Sequence, residues 1–77
     1  MGAGYERESH YRTDPEQRAR LARAIDKLPQ REREVFEMVA VEGLGQPEAA
    51  ERLGISTARI ERLLARALRR LDRRLHG

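Results

Sequence analysis

Between Ser56 and Arg69 the chain reads STARIERLLARALR, and its chemistry-bearing side chains are concentrated there. Arg59, Arg62, Arg66 and Arg69 recur three or four residues apart, the spacing that lines side chains along one face of a helix. A guanidinium is planar, permanently charged and offers parallel N–H donors. A row of them suits phosphate oxygens and the O6/N7 edge of guanine. Thr57 brings a hydroxyl for a base or a phosphate, and Ala58 a methyl suited to the methyl of thymine. Catalytic chemistry has no comparable set. His10 and His76 lie near opposite termini, neither has a Cys or carboxylate at ligand spacing, and the chain has no cysteine. The GLG of residues 43–45 follows a helical stretch and lacks the Lys-Ser/Thr of a phosphate-binding loop. The residues point to recognition of a polyanion, with no enzyme activity, metal or cofactor expected.

Such a row needs an element that holds it against its target. Glu48 to Leu53 form a short helix that must stop at Gly54, a good left-handed cap. Ile55 is an apolar plug, Ser56 can cap the next helix, and Thr57 onward carries an apolar repeat of helical period. Two helices joined by a short Gly-containing turn form a helix-turn-helix, whose second helix enters the DNA major groove. On this reading Thr57, Ala58, Arg59 and Arg62 meet base edges, while Arg66 and Arg69 follow the phosphate backbone. Ser56, beside the free amides at the helix start, and Arg31 and Arg52, bordering the groove, are further phosphate candidates. Arg70, Arg73 and Arg74 are expected to be solvated or paired with Asp26 or Asp72.

The remaining chain reads as scaffold. Asp14 is a good N-cap and Pro15 suits a first helical position; Leu21, Ala24, Ile25 and Leu28 repeat at helical spacing before Pro29 stops the run. A second helix spans about 30–42, with Val35, Phe36, Val39 and Ala40 inward and Met38 and Val41 at the margins. Its wetted side is Arg31, Glu32, Arg33, Glu34 and Glu37, and Gly43 is its cap. Phe36, the only Phe, is expected to anchor the core. Gly45 opens the third helix, with Glu48 reaching back toward its amide. The fourth helix, about 57–75, carries Ile60, Leu64, Ala67, Leu68, Leu71 and Leu75 on one stripe with Leu63 at its edge. Its second half should pack back on the first helix. The expected fold is all-α: a compact four-helix domain over 14–77 with a C-terminal helix-turn-helix, preceded by a flexible tail or linker over 1–13.

Charge is divided along the chain. Residues 1–51 hold eight Lys/Arg and eleven Asp/Glu, a balance of −3, whereas 52–77 hold eight Arg against Glu61 and Asp72, a balance of +6. A basic end on a mildly acidic remainder suggests one face for a polyanion and another for a different partner. Lys27 is the single lysine among sixteen basic residues; codon usage in a GC-rich genome gives the same skew, so placement matters more than composition. No apolar run approaches the roughly 20 residues that cross a bilayer, so no membrane insertion is expected and the cytoplasm is the expected compartment.

These residues resemble a known family. Leu28-Pro29, Arg33-Glu34-Val35-Phe36, Glu42-Gly43-Leu44, Glu48 through Ser56, and Arg66-Ala67-Leu68-Arg69-Arg70-Leu71 are together similar to region 4 of bacterial sigma factors of the extracytoplasmic-function group. IERLLARAL is especially similar to the iron-uptake subgroup. The helix-turn-helix of LuxR-type regulators shares some of these features, but it usually has seven positions from the Val to the helix-ending Gly. Val35 to Gly43 is eight, as in sigma factors. Gly45-Gln46-Pro47 and Ala49 depart from the usual opening of the scaffold helix. The resemblance implies binding of double-stranded promoter DNA at the upstream (−35) element, docking on the flap region of RNA polymerase core, and an anti-sigma factor as a further partner. It also implies that sigma region 2, which melts the promoter, is absent from this stretch. A second reading makes the domain a protein-interaction module for polymerase or an anti-sigma factor. Nothing resembles a dimerising zipper, so the free chain is expected to be a monomer.

Overall fold

A computed structural model describes residues 14–76. The tail expected over residues 1–13 lies outside the described residues. Among the described residues four helices follow one another, α1 (Pro15–Asp26), α2 (Gln30–Phe36), α3 (Gln46–Leu53) and α4 (Thr57–His76), and there is no strand. α2 runs directly into a π-helical segment, Glu37–Val41, before the chain turns toward α3.

Capping chemistry fixes the start of α1 and both ends of α3, whereas α2 has no side-chain cap. The Asp14 carboxylate accepts hydrogen bonds from the amides of Glu16 (3.2 Å) and Gln17 (3.3 Å), satisfying two N–H groups that have no helical partner at the start of α1. Gly45 has no side chain to cap with. The carboxylate of Glu48 instead accepts from the Gly45 amide at 3.3 Å, half of a capping box. Gly54 ends α3 in the left-handed region (φ 68°), and the Ile55 amide donates back to the Ala50 carbonyl at 3.0 Å.

The apolar spacing does not predict the π-helical segment. Its wider turn bonds Glu42 N–H to the Glu37 carbonyl at 2.8 Å, and Gly43 (φ 80°) closes it as the Leu44 amide donates to Met38 at 2.9 Å. A wider turn advances less per residue, so positions drawn at the α-helical interval are displaced. Ala40, expected inside, is exposed, and Met38, expected at the margin, is half-buried.

The core is in two parts joined along α4. Val35, Ala49, Ala50, Ile60 and Leu63 form one cluster, where α2, α3 and the first half of α4 meet. Ala24, Leu28, Phe36, Ala67 and Leu71 form the other, where α1 and α2 pack on the second half of α4, as expected for a long last helix. Phe36 anchors this second cluster, and Leu64 touches both. Two stripe assignments differ. Leu63 is buried rather than at the edge, and Leu68 is 50% exposed. The stripe drawn on α4 spans more of its circumference than its neighbours cover, and the covered sector lies toward Leu63. Leu21 of α1 is also outside, at 38%.

Candidate nucleic-acid interface

The interface is built outward from the turn. Ser56 Oγ accepts from the Arg59 amide at 3.1 Å, fixing the first turn of α4 and leaving its own O–H and the amides of Thr57 and Ala58 available to a phosphate. Ile60, wholly buried one turn further, pins that turn to the core. With Ile60 inward, the advance of about 100° per residue directs Ala58, Arg59, Arg62, Arg66 and Arg69 away from the core. All five are exposed, and Arg59, Arg62 and Arg66 line a shallow depression with Leu63 at its side.

The structure therefore brings together most of the residues expected on the reading face. Thr57 is exposed but sits on the flank shared with Glu61, about 160° round the helix from Arg59. That flank is turned well away from the one that carries Arg59 and Arg62. Arg52, exposed on the last turn of α3, stands just before the Gly54 turn. Arg31 is the outlier. It pairs with Glu34 on its own helix at 3.6 Å, and its neighbour Glu32 lies against Arg70, eleven residues beyond Arg59 on α4, about 16 Å along the axis. Arg31 thus borders the far end of α4, not its reading turn.

Two expectations are corrected by that same contact. Glu32, assigned to the wetted side of α2, is 5% exposed. Arg70, expected in solvent or paired with Asp26 or Asp72, places its Nε 2.9 Å from Glu32 Oε1. The N–H is poorly aligned, so the contact is an ion pair rather than a good hydrogen bond, and Oε1 has no other partner. A buried carboxylate is tolerated because this guanidinium accompanies it. The sequence carried a signal for it: Glu32 falls four residues before Phe36 and three before Val35, on the inward stripe. The pair ties α2 to α4 and holds Arg70 by one edge, with about half of its side chain left in solvent.

Among the described residues, no helix is long and apolar enough to cross a membrane. What the surface offers is a capped helix whose exposed face is guanidinium-rich, held on a rigid two-helix frame. Residues 18–71 match the family described as Sigma-70, region 4. The chain is 41% identical over 54 residues to the RNA polymerase sigma factor CnrH of Cupriavidus metallidurans, an alignment covering 70% of this chain and 28% of that protein. It is also 41% identical over 56 residues to the RNA polymerase sigma factor SigF of Mycobacterium tuberculosis, covering 73% of this chain and 22% of that one. The chain thus spans about a quarter of the length of these curated relatives. No solved structure matches it at a comparable level.

Proposed function

This chain belongs to the sigma-70 region 4 family, a family with a promoter-binding role in transcription, and from that premise we propose that it reads the upstream (−35) promoter element. In this reading residues 14–77 are the DNA-binding unit of an alternative sigma factor of the extracytoplasmic-function group, acting in the cytoplasm. The IERLLARAL stretch favours its iron-uptake subgroup. The observation that carries the reading is the exposed outer face of the capped first turns of α4, from Ala58 through Arg62. Arg59 and Arg62 take guanine edges, Ala58 a thymine methyl, and Thr57 a base edge or the flanking strand. Ser56, Arg52, Arg66 and Arg69 hold phosphates in register, and Arg31 does so only where the duplex extends along α4. The free chain is a monomer.

Promoter specificity of this kind works while the domain is tethered to RNA polymerase core through its flap region, with an anti-sigma factor competing for the same surfaces. The partly exposed Leu21 and Leu68 support such protein contacts. Leu21 lies beside Leu75, where α1 meets the end of α4, and these exposed leucines favour the interaction reading as a companion to DNA binding, not a substitute for it.

The test is a fluorescence-anisotropy titration of promoter-like and scrambled duplexes at two salt concentrations. Tighter binding to the promoter-like duplex, weakening steeply with salt, is expected. Arg62→Ala should cost about 1–3 kcal/mol on the promoter-like duplex and relax preference at one base, while Arg69→Ala should weaken all duplexes alike. Equal losses on every sequence for Arg62→Ala would remove it from the base-reading set.

A further inference from the structure

Away from the helix-turn-helix, a second group of cations gathers where α1 crosses the end of α4. Lys27, Arg70, Arg73 and Arg74 line one depression; Arg20, Arg23, Lys27 and Arg74 line the adjoining one, with Ala24 and Leu75 as its apolar lining. Arg20 and Arg23 of α1 and Lys27, its C-cap residue, are spaced to share one helical face. Asp26 and Asp72 adjoin Lys27 and Arg73 in the sequence, but neither forms an ion pair with these cations among the described residues. Glu32 pairs with Arg70 through Nε, and the ion pairs among the described residues include none for Arg20, Arg23, Lys27, Arg73 or Arg74. Arg20 also donates to the Leu75 carbonyl at 3.3 Å, which holds it against the end of α4. Several like charges kept this close repel one another unless a polyanion joins them.

We propose that this patch is a second site for the phosphate backbone of duplex DNA, separate from the reading turn. The inference rests on the DNA-binding reading above and extends it. The charge chemistry favours nucleic acid over an acidic protein. The patch has almost no exposed apolar centre, whereas protein interfaces have one, and strongly basic, polar surfaces are the mark of DNA contacts. Its guanidinium groups fit phosphate oxygens two donors at a time. It also continues the reading face: Arg66, Arg69 and Arg73 lead along α4 from the first turns into the patch. From Arg59 to Arg73 is about 21 Å along the axis, close to the width of a duplex. A short site confined to the reading turn cannot fill the patch; a longer duplex that bends along α4 can. Glu32 acts here as a positioning residue, holding Arg70 by Nε while about half of its side chain stays open to the backbone.

The experiment compares the intact chain with a triple variant, Lys27→Gln, Arg73→Gln and Arg74→Gln, all at exposed positions. Each is titrated with a duplex of about 12 base pairs carrying only the recognised element and with one of about 30 base pairs extended upstream. The parent should bind the longer duplex more tightly and with a steeper salt dependence. The variant should match the parent on the short duplex, bind the long one on the order of tenfold more weakly, and lose about two to three from the salt exponent there. The same loss should appear on a long scrambled duplex, because backbone contacts carry no sequence information. Identical behaviour of parent and variant on both lengths overturns the proposal. So does an equal loss on both, which would merge the patch with the first site. Displacement of poly-glutamate, with no length effect on DNA, would give the patch to an acidic protein and also overturn it. Failure of the parent to bind either duplex would instead bring down the promoter-reading function itself.

Discussion

Around the first half of α4, Val35, Ala49 and Ile60 are sealed completely from solvent, and three helices close over them. Around the second half the packing is thinner: only Ala67 is sealed completely, α1 contributes Ala24 as its one buried residue, Leu28 follows just after it, and Leu21 and Leu68 stay partly outside. The charge runs the other way. The well-packed half presents a single outward row of Arg, while the thinly packed half is surrounded by Arg and Lys from two helices. A reading surface must hold its side chains to fractions of an ångström, which requires rigid support, whereas backbone contacts tolerate looser mounting because every phosphate is alike.

The largest expected contrast between the halves is in stability. Ile60→Ala empties a fully enclosed site and should cost about 3–5 kcal/mol, while Leu71→Ala, in the thinner cluster, should cost about 2–3 kcal/mol. Urea unfolding followed by circular dichroism measures both, and equal losses would erase the distinction. Next comes Arg70→Ala, which strands the buried Glu32 carboxylate. Since Arg70 is half-exposed, about 1–3 kcal/mol is expected, and adding Glu32→Met should recover most of it. A double variant as unstable as Arg70→Ala alone would show that the guanidinium mattered through its packing. At the helix-turn-helix, Gly54→Ala meets no atom within 4 Å, so its cost is conformational, roughly 1–2 kcal/mol for the left-handed backbone. Smallest are the two caps. Ser56→Ala should cost about 1 kcal/mol, and Asp14→Ala about 0.5 kcal/mol, because α1 frays without carrying the rest of the fold with it. Hydrogen exchange resolved by residue would sharpen this: faster exchange confined to α1 is expected for Asp14→Ala.

Much of this was legible from sequence because it was local. Asp14, Gly54, Ser56 and the reach of Glu48 toward Gly45 act within one turn, and their chemistry decides helix limits with little help from the rest of the chain. The outward face of Ala58, Arg59 and Arg62 followed from the same periodicity. What escaped was non-local. Glu32 is buried because Arg70, 38 positions away in sequence, arrives beside it when α2 crosses α4. The exchange of Leu63 and Leu68 reflects where α2 and α3 close over α4, which spacing along α4 cannot encode. The π-helical turn at Glu37–Val41 shifts the register of Met38 and Ala40 through backbone bonding, without any unusual side chain to announce it. The gathering of α1 and α4 cations required knowing that the two helices cross.

α4 is one unbroken rod of 20 residues, about 30 Å long, shared by both halves. Mechanically it is a lever with its fulcrum at the tight cluster around Ile60. The arm beyond the fulcrum is several times longer than the reading tip, so movement is geared down. A swing of about 2 Å at Leu75 becomes well under 1 Å at Arg59, roughly in the ratio of residues on either side of the pivot. A displacement at the far end is therefore felt only weakly by the exposed side chains of the first turns.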